Sequence, residues 1–95
     1  MINEFNIGSF AVSTAGHDLG KIYVIFHMDP EYVYLVDGRI RTLIRPKKKK
    51  LNHIELLSDI DPGLADKVIC RSVKNEEIKR AIKLMQNGNS SKEVE

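Results

Sequence analysis

Between Gly38 and His53 this chain carries seven basic residues and no acidic one: Arg39, Arg41, Arg45 and the run Lys47-Lys48-Lys49-Lys50. The whole protein is only +2, so everything outside that stretch sums to −5 and the positive charge is segregated. Segregated positive charge is the footprint of a phosphate-backbone partner, because each cation that neutralises a phosphate releases a condensed counterion. An arginine can grip a phosphate with two hydrogen bonds, whereas a lysine acts as a point charge. Arg39 and Arg41 therefore suit anchoring, and Lys47 to Lys50 suit tracking a backbone without reading bases. A bare four-lysine run is as readily a solvated strip; the arginines upstream tip the reading toward a phosphate contact. Pro46-Lys47-Lys48-Lys49-Lys50 also has the form of a nuclear-import tag, but nothing else in the chain points that way.

A second constellation is the loop Gly16-His17-Asp18-Leu19-Gly20-Lys21. Its glycines let an anion approach backbone N–H groups, and Lys21 supplies charge. It is not a P-loop, since the Gly-Lys-Ser/Thr end and the following helix are missing. Gly20 is expected to shape the turn, His17 and Lys21 to face a partner, and Asp18 to bond the loop's own backbone. His53, beside the lysines, is either a further contact or a partly buried strand histidine. His17, His27, His53 and Cys70 lack metal-ligand spacing, so no metal or other cofactor is expected. No nucleophile–base or carboxylate pair stands out, and Asp59 and Asp61 lie in a Pro-Gly loop as turn formers. The chain is expected not to be an enzyme and to have no small-molecule substrate. Cys70, in an apolar-led run, is expected to be a buried, inert thiol. Tyr23, Tyr32 and Tyr34 read first as core aromatics; if the face shared by Tyr32 and Tyr34 is outward, they become candidates to stack bases.

The elements that must hold these residues are short. At 95 residues, 42% apolar and 29% charged, the composition is that of one small globular domain. Ser9 to Ser13 alternates as a strand. Lys21 to Phe26 is β-branched, aromatic and apolar on both faces, hence central. Asp29-Pro30-Glu31 is a tight turn, and Tyr32 to Val36 is the next, antiparallel strand. Asp37-Gly38 is a hairpin signal. It predicts a strand from Arg39 to Ile44 with both arginines on one face, an end to regular pairing at Pro46, and exposed lysines after it. Leu51 to Leu57 is a last strand. Four or five such strands suggest a small barrel or rolled sheet. Residues 58–63 are a loop, and Leu64 to Val73 is ambiguous, with a helical turn open over Asp66 to Cys70. Asn75 is the expected N-cap of a helix whose stripe Ile78, Ala81, Ile82 and Met85 docks on the barrel, ending at Asn87-Gly88. No apolar run approaches the roughly 20 residues a membrane helix needs, so no membrane partner is expected. The N-terminal Met1-Ile2-Asn3-Glu4-Phe5 shows no signal peptide, and with a single cysteine this predicts a reducing, cytoplasmic setting.

Three pieces of the sequence, in order, resemble a known family. Ser13 to Ile25 is similar to the KOW motif of ribosomal and transcription-elongation proteins. Tyr34 to Arg41, and then Arg45 to Lys50 followed by Asn52-His53-Ile54, extend the likeness to the large-subunit ribosomal protein eL14 family and its KOW-domain RNA-binding relatives in Firmicutes. Position 17 is His where that family often has a basic residue. The resemblance covers about residues 8–57 and implies a small SH3-like (KOW) β-barrel of about five strands; with the C-terminal α-helix read from the residues, the expected fold is mainly β. It further implies binding to structured RNA, ribosomal RNA above all, and association with the ribosome or with translation factors. The RNA-facing residues it implies, together with those read from charge, are Gly16, His17, Gly20, Lys21, Arg39, Arg41, Arg45, Lys47, Lys48, Lys49, Lys50 and His53. The expected division is a lead-in at 1–7, the barrel at 8–57, a loop and docked helix at 58–88 and a flexible tail at 89–95. The competing expectation is a protein-interaction adaptor of the translation or transcription machinery, using the barrel or the C-terminal helix.

Overall fold

The computed structural model of the protein describes residues 7–57 and 61–94, with side chains to Gln86. Five antiparallel strands form one sheet: β1 (Phe10–Ser13), β2 (Ile22–Met28), β3 (Tyr32–Val36), β4 (Lys47–Lys50) and β5 (Ile54–Leu56). Their spatial order is β4-β3-β2-β1-β5. The doubly apolar β2 is central, as its composition predicts. β4 and β5 are the two edges and do not pair with each other. The five expected strands are thus present in number, but the sheet stays open. The chain crosses from one edge to the other through a single 3-10 turn, Leu51–His53.

Both faces of the sheet are apolar near its centre. On one, Phe10, Val24 and Val36 pack against α1 (Pro62–Ile69) and α2 (Asn75–Val94) through Leu64, Val68, Val73, Ile78 and Ala81. Ile82 and Met85 are half-buried against this cluster, so the predicted helical stripe docks on the sheet. On the other face, Ala11, Tyr23, Ile25, Met28, Val33 and Leu35 form a second cluster, flanked by Leu51 and Ile54. A bulge between Ile25 and His27 lets Phe26 join the helix-side cluster while His27 pairs with Tyr34.

Several local expectations change. Residues 39–44 are not a strand. Backbone bonds Asp37 N–H to Arg41 O (2.9 Å) and Arg45 N–H to Thr42 O (2.9 Å) close two turns there instead. Regular pairing begins after Pro46: Leu35 pairs with Lys47 and Tyr32 with Lys50. A proline is tolerated at the entry to an edge strand because its missing N–H interrupts no ladder. Asp61, expected as a turn former, caps α1 by accepting from the Leu64 N–H (3.2 Å), and Pro62 fits the first helical turn. α1 runs over two turns rather than one, and Cys70 at its end is exposed, not buried. The Asn75 side chain does not cap α2; its Oδ1 accepts from the Leu43 N–H at 2.9 Å. The carboxylate of Glu77 reaches back to the Lys74 N–H instead (2.9 Å). The α2 backbone continues through Asn87-Gly88, where a stop was expected, to Val94. The lead-in at 1–6, residues 58–60 of the expected loop with Asp59 among them, and Glu95 lie outside the described residues.

Candidate nucleic-acid interface

The sequence treats the basic residues as one strip; the structure divides them into three settings. β4 alternates, so Lys47 and Lys49 stand on the same face as Val33 and Leu35, while Lys48 and Lys50 stand on the face of Tyr32 and Tyr34.

The inward pair is held by the Gly16–Lys21 loop. Asp18 Oδ1 accepts from Ser13 Oγ (2.8 Å) and Lys49 Nζ (3.0 Å), and its Oδ2 accepts from the Tyr23 hydroxyl (2.8 Å). Lys47 Nζ lies 3.5 Å from the same carboxylate. Lys49 also donates to the Ala15 carbonyl (2.9 Å) and is only 10% exposed. Burial pushes the Asp18 carboxyl up, but the bonds from Lys49, Ser13 and Tyr23 and the charge of Lys47 outweigh it and hold the group well below the usual carboxylate range. Burial and the bond to Asp18 push the Tyr23 phenol well above its usual value. Asp18 therefore organises side chains rather than its own loop's backbone, and Lys47 and Lys49 are structural cations. Gly16 and Gly20 both sit at φ +86°, and an added Cβ at Gly20 would meet open space. The loop thus keeps an open backbone surface, with His17 exposed on it.

The second setting is a groove of about 330 Å³ lined by Lys21, Arg39, Lys79 and Lys83 with Ile22 and Asp37 between them. Asp37 is buried. Its carboxylate accepts from the backbone N–H groups of Arg39 (2.9 Å) and Arg41 (3.0 Å) and pairs with Lys21 Nζ (2.8 Å). Burial raises its pKa, and Lys21 with the two N–H groups more than offsets this, leaving it below the ordinary value. Gly38 follows at φ +79°, and a Cβ there would stand 2.3 Å from the Asn75 carbonyl oxygen, so the loop presses directly on the start of α2. Asp37, Gly38 and the Leu43–Asn75 bond pin the 37–45 loop at three points. From it Arg39, Ile40, Ile44 and Arg45 project; Ile40 is 74% and Ile44 88% exposed. Arg41, expected beside Arg39, is half-buried, with its charge felt by Tyr23. Lys79 and Lys83 are not among the residues that the sequence singles out, because no local pattern places them across from Arg39.

The third setting is the part of the helix-side face that the helices leave uncovered. His27 and Tyr34 have ring centroids 5.3 Å apart. Lys48 Nζ sits 4.3 Å over the Tyr32 ring. The Arg71 guanidinium lies 4.6 Å over Phe26. Lys50 and His53 are exposed, His53 in the 3-10 turn rather than in a strand. Among the described residues, no group of three or more His, Cys, Asp or Glu side chains is placed to hold a metal, and no helix is long and apolar enough to cross a membrane.

Compared with protein-family models the chain matches none, and no curated protein is significantly similar to it.

Proposed function

We propose that this protein binds structured RNA through its phosphate backbone, with ribosomal RNA of the large subunit as the target that the KOW likeness suggests. The observation that carries the reading is the groove in which Lys21, Arg39, Lys79 and Lys83 converge around one already neutralised carboxylate. Four cations from three separate segments meet there on a backbone pinned by Asp37 and Gly38. Cations on a rigid surface lose little entropy when they meet phosphates. They favour a partner whose charge is laid out in space, which is how duplex RNA is mostly recognised. The return of β5 to pair with β1 supports an SH3-like reading of the sheet, with β4 and β5 as its unpaired seam.

The test is co-sedimentation with ribosomes of the host across a salt series, beside the triple variant Arg39→Gln/Lys79→Gln/Lys83→Gln. Each lost phosphate contact lowers the log–log salt slope by about 0.7–0.9, so the variant should lose about 2 to 3 from it. Replacing Lys47 to Lys50 together is the poorer experiment, because Lys47 and Lys49 hold Asp18. Binding that resists salt and ignores the triple variant would sink the reading. It would favour a protein-interaction adaptor, for which the 320 Å³ groove between α1 and α2, beside the exposed Leu84, is the surface to probe.

A further inference from the structure

We infer that the uncovered sheet face around His27, Tyr32 and Tyr34 is a second RNA site, one that stacks unpaired bases. The inference rests on the RNA-binding reading but uses a different surface and a different chemistry. The register sets the residues side by side: His27 on β2 opposes Tyr34 on β3, and Tyr34 opposes Lys48 on β4. One row across three strands therefore reads imidazole, phenol, ammonium. In the next row Tyr32 opposes Lys50, and Lys48 leans back over the Tyr32 ring.

Two observations separate this face from ordinary surface. The first is that its rings are held but not covered. The Tyr34 hydroxyl donates to Asp29 Oδ2 at 3.0 Å, the same carboxylate accepts the Glu31 and Tyr32 N–H groups, and Tyr32 and Tyr34 remain half-exposed with His27 exposed. The second is Arg71, the one non-glycine residue among those described with a positive φ (+62°). The left-handed conformation is strained for an ordinary L-residue. Here it closes α1, with Arg71 N–H bonded to Val68 O and Ser72 N–H to Lys67 O, and it leaves the guanidinium over Phe26, next to His27. Cations thus stand over Phe26 (Arg71) and beside Tyr32 and Tyr34 (Lys48 with Lys50). The acids nearby are Asp29, already engaged by Tyr34 and two backbone N–H groups, and Glu31. Flat π-faces bordered by cations about one ring away match an unpaired RNA strand, whose bases offer π-faces and whose linkages carry the charge. An apolar helix or strand of another protein would leave these cations without counterparts.

The experiment titrates the full chain with a short single-stranded oligouridylate and with an abasic oligomer of the same length and charge. The chain has three tyrosines and no tryptophan, so its tyrosine emission reports stacking directly. The base-bearing strand should bind more tightly and quench that emission, and the abasic strand should not quench. His27→Ala and Tyr32→Ala should each weaken oligouridylate binding by about 5- to 100-fold while leaving the salt slope unchanged. Tyr34→Phe, which keeps the ring and the fold, should bind nearly as the parent does. Equal binding of the two oligomers, or no effect of His27→Ala in a folded variant, overturns the stacking site alone. If neither oligomer binds and structured RNA fails in the salt series as well, the RNA reading falls with it.

Discussion

At the scale of single residues, Asp18 does the most with the least. One carboxylate fixes Ser13, Tyr23, Lys47 and Lys49, and so ties the Gly16–Lys21 loop to the edge strand β4. Removing one partner of such a pair leaves a desolvated charge behind. Asp18→Ala should therefore cost about 3 kcal/mol of stability, read from the denaturant midpoint. Lys48→Gln, on the opposite face, should change stability by no more than about 0.5 kcal/mol. Gly38 is the other sensitive position. Gly38→Ala must accept both a positive φ and a contact of 2.3 Å with backbone, and should cost about 3 kcal/mol. Gly20→Ala meets only the φ penalty, and about 1 kcal/mol is expected there.

At the scale of elements, the 37–45 loop is where a turn carries what a strand was expected to carry. Asp37 takes the N–H groups that a hairpin partner would have bonded, and α2 supplies Asn75 to hold Leu43. The loop can then display two bare isoleucines between arginines without folding in on them. Ile40→Ser with Ile44→Ser should leave thermal stability within about 0.5 kcal/mol, since neither side chain is buried. If the groove binds RNA as proposed and the loop packs against its ribose and base edges, the same variant should weaken ribosome binding several-fold. Parent-like binding would confine the proposed contact to the charges. β4 shows the complementary case. It is an edge strand made only of lysines, which also discourages pairing with a second copy.

At the scale of the molecule, the sheet depends on α2. Phe10, Val24 and Val36 are buried under a cover to which α2 contributes Ile78 and Ala81, beside Leu64, Val68 and Val73. A chain ending before Asn75 should lack the dispersed amide spectrum of a folded domain, and Ile78→Ala should cost about 3 kcal/mol. The acid response is also a whole-molecule property. Asp18, Asp29 and Asp37 all have folded-state pKa values below their ordinary ones. Below about pH 4 the unfolded chain therefore binds protons that the folded chain refuses. Stability should be at its plateau above about pH 5 and should fall as pH drops through 4 toward the depressed folded values. Asp18→Asn should start from a lower plateau and show a shallower fall; a parent-like slope would remove Asp18 from the acid response.

What could be read from the residues alone was whatever depends on near neighbours. The β-branched runs at 22–26 and 32–36, the Asp29-Pro30 turn between them, and the helical spacing of Ile78, Ala81, Ile82 and Met85 all appear in the structure, because propensity and periodicity act within a few residues. The clustering of positive charge was equally plain. Its division was not. Four identical lysines carry no signal of which face each takes; only the pairing of Leu35 with Lys47 settles that two turn inward to Asp18 and two turn outward. The chain does reverse after Asp37-Gly38, but residues 39–44 form a loop held to α2, more than 30 residues away, and the pairing with β3 starts only at Lys47. Lys79 and Lys83 joined Arg39, and Arg71 joined Phe26, through the same packing of helices on sheet. Local sequence set the elements and the amount of charge; tertiary packing, which alone brings distant segments within bonding distance, decided where the charge points.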